Sequence, residues 1–317
     1  MTEKLLVASS PHIQEKETTP GIMLHVILSL LPATVAAVYF FGFKALAIIL
    51  TSIISAIITE LLFLLGRKKS LDAILDGSAL VTGLLFALTL PPTISLSKTA
   101  IGAAVAIAIG KQVFGGFGDN IFNPALVGRA FLQAAFPVAM TTWAPTRLMK
   151  GIDAVSFATP LGGFKFSHLL TAHKDLFFGN TGGSLGETSA ILLLLGGLYL
   201  LIRRFIDWRI PVGIFATVFL FGGALWLANP QKYPDPIFHL LAGGLMLGAW
   251  FMATDPVTSP VAPAATWVYA AGIGVLIIVI RLFGGMPEGV MYSILIMNAF
   301  SPLLDRYLRR RMLGEKK

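Results

Sequence analysis

The sequence predicts an all-α, polytopic membrane protein with about ten transmembrane helices, arranged as two inverted five-helix halves. Three observations carry this. First, 56% of the 317 residues are hydrophobic and only 13% are charged, whereas a soluble domain carries about 25% charge. Second, apolar runs of about 20 residues, long enough to cross a bilayer as helix, recur from end to end. Third, the chain repeats itself. Gly83, Phe86, Thr89 and Pro91 return at a constant spacing of 165 as Gly248, Phe251, Thr254 and Pro256. Phe114-Gly115-Gly116 returns as Phe283-Gly284-Gly285, with Lys111 near the place of Arg281, and Phe122-x-Pro124-x-Leu126 as Phe300-x-Pro302-x-Leu304. The copies begin five spans apart, and an odd number of spans turns the second copy over.

Taken in order, residues 1–20 are polar and hold no apolar core ahead of a cleavage site, so a cytoplasmic N-terminal segment without a cleavable leader is expected. The first half, 21–141, contains apolar segments at 21–42, 45–65, 77–91, 97–114 and 121–141. A long loop, 142–187, follows. The second half, 188–305, has segments at 188–202, 210–228, 237–254, 264–283 and 289–305, and a basic tail, 306–317, closes the chain. The third and eighth segments are short and glycine-rich, which suggests half-helices or broken helices.

Orientation follows from charge. Arg67, Lys68 and Lys69 end the second segment, Arg203, Arg204 and Arg209 follow the sixth, and Arg306, Arg309, Arg310 and Arg311 follow the tenth. With ten spans these clusters share one side. The positive-inside rule makes that side cytoplasmic, with both termini there and the loop 142–187 outside. The net charge of +8 therefore reports orientation and implies no nucleic-acid partner.

Soluble-type catalysis finds no support. There are no cysteines, which excludes disulfides, thiolate iron–sulfur ligation and a thiol nucleophile. No P-loop, G-x-S-x-G or Ser–His–Asp pattern is present. His168 and His173 share the long loop without metal-ligand spacing.

Polar residues inside apolar segments are the candidates for function. Asp76 opens DGSALVTGLLFALTLPP and reads either as a helix cap or as a group lining a pathway. Asp255 lies at the mirrored end of the repeat and reads as a turn residue or an ion contact. Glu60 falls within the second segment, where it either snorkels or meets an ion. In KQVFGGFGDNIFNPALVGRAF, Asn120, Asn123 and Arg129 offer hydrogen bonds, and Arg129 in an apolar helix requires an anionic, carbonyl or cofactor partner. In the long loop, GIDAVSFATPLGG reads by composition as a turn, with Asp153 and Ser156 capping amides and Thr159-Pro160 ending the segment.

Several long motifs, in order, carry a family resemblance. SPHI at 10–13, IMLHVILSLLPA, DGSALVTGLLFALTLPP, VFGGFGDNIFNPALVGRAF, FMATDPVTS and GGMPEGVMYSILIMN resemble the RnfD proteins of the Rnf electron-transport complex, from about residue 7 to 308. They are also similar to the NqrB proteins of the sodium-pumping NADH:quinone reductase, which typically have a longer N-terminal extension; the short start and SPHI favour the Rnf side of the family. The resemblance implies a urea-channel-like fold in a bacterial or archaeal cytoplasmic membrane. It implies FMN joined through its phosphate to a threonine in a motif resembling D-x-x-[ST]-x-A-T, here Asp153, Ser156, Ala158 and Thr159, with Phe157 where glycine is usual. A second, unattached flavin such as riboflavin stays open. The implied partners are the other Rnf proteins (A, B, C, E and G), a flavin transferase acting outside the membrane, lipid, and Na⁺ or H⁺. The implied role is an electron relay between reduced ferredoxin and NAD⁺ coupled to ion transport, with Asp76, Asp255 and Glu60 as candidates to meet the ion. A non-redox solute channel and a structural scaffold remain the alternatives.

Overall fold

The computed structural model describes residues 18–146 and 159–308. The described residues form helices joined by turns. Helix α1 (Thr19–Phe41) starts at Thr18, whose hydroxyl accepts from the Gly21 amide, with a proline in the first turn; such a cap satisfies an amide that the helix leaves free. Helix α2 (Phe43–Gly66) follows one glycine later. Helix α3 (Ser78–Leu88) has 11 residues, about 16 Å at 1.5 Å per residue, half of a bilayer core of about 30 Å. Helices α4 (Leu96–Ala108), α5 (Pro124–Ala135) and α6 (Pro137–Thr141) complete the first half.

Between the halves lie two short helices, α7 (Pro160–Ser167) and α8 (His173–Phe178). Thr159-Pro160 does not end a segment, as composition suggested, but starts one: Thr159 is the cap of α7, and Pro160 suits the first turn because its missing N–H would have gone unpaired there. Helix α9 (Ala190–Ile202) and α10 (Arg209–Ala228) open the second half. The eighth apolar segment is broken. Helix α11 (Pro236–Leu241) ends at Ala242, Gly243 turns with φ +67°, and helix resumes as α12 (Leu245–Leu247) and a π-turn over Gly248–Met252. Helices α13 (Pro263–Phe283) and α14 (Val290–Leu308) finish the described chain. Among the described residues four helices, α1, α2, α10 and α13, are long and apolar enough to cross a membrane.

The packing is duplicated. In the first half α2 packs on α3 and α4, and α4 on α5; in the second α10 packs on the broken segment and α13, and α13 on α14. Contacts between α1 and α9, and between α5 and α14, join the halves. The repeated pair Gly83 and Gly248 sits where helix meets its neighbour: a Cβ at Gly83 would lie 2.8 Å from Ile53 Cα, and one at Gly248 2.4 Å from Val290 Cγ1.

Interrupted helices expose carbonyls that lipid cannot satisfy, so protein groups must. Past α3, the Leu88 and Leu90 carbonyls accept from the amides of Gly186 (2.8 Å) and Leu185 (2.9 Å), which belong to the buried stretch ahead of α9. At the break in the eighth segment, Arg281 donates to the carbonyls of His239 (2.6 Å) and Ala242 (2.9 Å), and the Gly244 amide donates to Glu288 (2.9 Å).

Candidate functional site

Thr159 opens onto a large cavity. Its Oγ1 accepts from the Gly162 amide at 3.1 Å, leaving its own proton and a lone pair available. The cavity measures about 620 Å³ and is walled by α7, the end of α5 and α6, and the turn 285–288 leading into α14. Trp143, Phe166 and Tyr292 supply aromatic faces, and Arg129, Gln133 and Glu288 supply polar groups. Phe166 is largely exposed, while Phe164 turns away and packs on Phe238, with ring centroids 5.9 Å apart.

Arg129 has the partners that its position requires. One guanidinium nitrogen donates to Glu187 at 3.1 Å and the other to Glu288 at 2.5 Å. The three groups come from α5, the stretch ahead of α9 and the start of α14, so the cluster ties both halves together at the cavity floor. Glu288 is shared, because its second oxygen accepts from Gly244 at the break. Lys165, on α7, donates to the carbonyls of Arg281 (3.0 Å), Gly284 (2.5 Å) and Met286 (2.8 Å). Burial lowers the pKa of this lysine.

The residues fit a flavin phosphoester. The volume lies within the roughly 300–1,000 Å³ of small-molecule sites. The hydroxyl stands at a helix start, where backbone amides favour a phosphate. Aromatic faces and a cation surround the remaining space.

A second cavity, about 80 Å³, lies between the halves and is lined by Ser78, Lys111, Asn120, Asn123 and Asp255 among others. Lys111 is buried and donates to Ser78 at 2.6 Å and, by a very short bond, to Glu60. Glu60 does not snorkel: it is 2% exposed and also accepts from Gln112 at 3.0 Å. Asp76 accepts from the Ser78 amide (2.7 Å) and hydroxyl (2.5 Å), so Glu60, Lys111, Ser78 and Asp76 form one chain. Asp255 accepts from the Val257 amide at 3.1 Å and faces the same cavity. Asn120 keeps a buried carbonyl oxygen without a partner among the described residues. Asn123 caps α5 and donates to the Met252 carbonyl at 3.2 Å, and its amide donates to Asn298 at 3.2 Å, again joining the halves.

The structure therefore divides the predicted residues. Arg129 lines the Thr159 cavity; Asn120 and Asn123 line the other, with Asp255 and the Lys111 partner of Glu60. Asp153, Ser156, Phe157 and Ala158 lie outside the described residues. No cluster of three metal-binding side chains occurs among the described residues, and His173 is 3.0 Å from Asp235. Sequence reading missed Glu187, Glu288 and Lys165. The signal for the two acids is Arg129 itself, whose place in an apolar helix calls for a partner that the carboxylates of SLGETS and GGMPEG can supply.

A model of the NQR2, RnfD, RnfE family matches residues 6–314. The chain belongs to this family. It is 46% identical over 98% of its length to the D component of the proton-translocating ferredoxin:NAD(+) oxidoreductase complex of Clostridium ljungdahlii, covering 96% of that protein. It is 44% identical over 99% of its length to the D component of the Na(+)-translocating ferredoxin:NAD(+) oxidoreductase complex of Acetobacterium woodii, covering 96% of it. To the D component of the ion-translocating oxidoreductase complex of Stutzerimonas stutzeri it is 44% identical, with 94% and 93% of the two chains covered.

Proposed function

We propose that this chain is the flavin-bearing membrane subunit of an ion-translocating ferredoxin:NAD⁺ oxidoreductase, with FMN attached through its phosphate to Thr159. The observation that carries the reading is a capping hydroxyl with a free proton, facing a cavity of about 620 Å³ walled by aromatic side chains and the Arg129–Glu288 ion pair. When bound, the flavin supplies the redox chemistry; the protein supplies attachment, orientation and electrostatics. Thr159 holds the phosphate at the start of α7. Trp143, Phe166 and Tyr292 offer faces to the ring, and Arg129 sets the local charge against Glu187 and Glu288. With no cysteine in the chain, thiolate-held clusters belong to neighbouring subunits.

The positive-inside rule supports an extracytoplasmic Thr159 cavity, within reach of a flavin transferase, and a cytoplasmic cavity lined by Ser78, Lys111 and Asp255. In the second cavity Na⁺ or H⁺ meets Asp255 directly, and Glu60 and Asp76 through Lys111 and Ser78, which line it. The names of the relatives favour the Rnf reading over a quinone-reductase subunit.

The test is fluorescence of the denatured protein on a gel under ultraviolet light, after co-expression with a flavin transferase. A yellow band that disappears in Thr159→Ala supports the reading. A wild-type protein without the band rules it out, and solute flux in liposomes then tests the channel alternative.

A further inference from the structure

The duplicated Phe-Gly-Gly turns differ in what holds them. A helix leaves its last carbonyls without partners, and a cation there is favoured by the helix dipole. In the first half, the turn after α4 is held by cations of that same half. Arg67 donates to the Gln112 carbonyl at 2.5 Å, and Lys69 to the Gly115 carbonyl at 3.1 Å. Both follow α2 directly. In the second half, the matching stretch after α10 offers Lys232, which lies over the Tyr233 ring at 5.3 Å instead. The turn after α13 is held by Lys165 from the helix that begins at Thr159. An ammonium has three hydrogens, and Lys165 has three carbonyls to receive them: Arg281 at 3.0 Å, Gly284 at 2.5 Å and Met286 at 2.8 Å.

This substitution has a geometric consequence. Lys165 stands six residues from Thr159, about 9 Å along α7. The turn that it grips continues into Gly285, Met286, Pro287 and Glu288, which line the same cavity as Thr159. One ammonium thus joins the two walls of the cavity. We propose that Lys165 is a positioning residue: it locks the Thr159 helix to the second half and so fixes where a group attached to Thr159 is held. The proposal rests on the flavin reading above for the identity of that group, but not for the lock itself.

Two measurements test it in the whole chain, with Lys165→Met compared with wild type. The first uses flavin-free protein expressed without a transferase. The chain has no cysteine, so Met291→Cys introduces a single thiol in the cavity wall, where Met291 is 7% exposed. Maleimide labelling of this thiol is expected to rise severalfold when Lys165 becomes Met. The second uses the flavinylated complex, in which quenching of flavin fluorescence by iodide is expected to rise severalfold in Lys165→Met while the covalent band persists. Lys174→Met, at an exposed position on the same loop, is expected to change neither. If labelling or quenching in Lys165→Met matches wild type, the lock is overturned. If wild type carries no flavin band, the flavin reading fails and the labelling arm still judges the lock. Should Lys165→Met fail to fold, Lys165→Gln, which keeps two donors, is read in the same way.

Discussion

The two cavities lie along one helix and are built for guests of different size. The first residues of α5 and the stretch before it line a space of about 80 Å³. Arg129 and Gln133, a turn further on, line one of about 620 Å³. A water needs roughly 10–15 Å³ of such space, so the smaller cavity suits a few waters or an ion, and the larger suits a cofactor. The difference teaches that the proposed attachment site and the proposed ion site are set one to two turns apart along α5, while both rest on contacts between the halves. It also separates two kinds of buried cation. Lys111 is answered by Glu60 from its own half, whereas Arg129 is answered by Glu187 and Glu288 from beyond it.

The largest effect that would sharpen this comparison comes from removing the cations. Arg129→Ala removes the direct partner of two carboxylates, Glu187 with its side chain 6% exposed and Glu288 with 21%, and breaking such a buried pair costs about 3–5 kcal/mol. Thermal unfolding in detergent is expected to fall steeply, and flavin attachment with it. Lys111→Ala should destabilise by a similar amount yet leave attachment in the folded fraction intact; equal loss of attachment in both would merge the two sites into one.

Next in size is Gly244→Ala. The new methyl group would lie 2.4 Å from the Glu288 carboxylate and 2.7 Å from that of Glu187, pushing both off Arg129. Side chains yield more readily than backbone, so a loss of about 1–3 kcal/mol is expected, read in the same unfolding assay, with the smaller cavity unaffected.

Asp255→Asn should act only at the smaller cavity. Flavin attachment and electron transfer in proteoliposomes are expected to persist while ion uptake falls. Unchanged uptake would remove Asp255 from the ion path.

The smallest effect is a pH response of the lock. Burial lowers the Lys165 pKa, so its third hydrogen is lost below the ordinary lysine range near 10.4. A neutral amine has two hydrogens for three carbonyls. Iodide quenching of the flavin should therefore increase as pH rises through that window in wild type, and stay flat in Lys165→Met.

Much of the fold was legible because lipid imposes it. Apolar length located the helices, and the glycine-rich third and eighth segments announced a half-helix and a break. The repeated Gly83 and Gly248 marked close contacts between helices. Arg129 signalled by its cost a buried partner, anionic, carbonyl or cofactor, but not that Glu187 and Glu288 would supply it. What stayed hidden were contacts that depend on distant chain. Nothing near Glu60 in sequence says that Lys111 covers it, and nothing in PLGGFKFS says that its lysine caps another helix. Thr159-Pro160 was misread because the same dipeptide ends one segment and begins another, and only the residues after it decide.

The bonds that finish the first half reach far ahead in the chain. Arg129 is separated from Glu187 by 58 residues and from Glu288 by 159. At about 5–20 residues per second of synthesis, Arg129 is made several seconds before its first acid, and longer still before its second. The first half therefore leaves the ribosome as an unfinished object, with a naked guanidinium and open carbonyls after α3. During that interval it depends on the insertion machinery, or on lipid headgroups, to shelter what its own later sequence will cover.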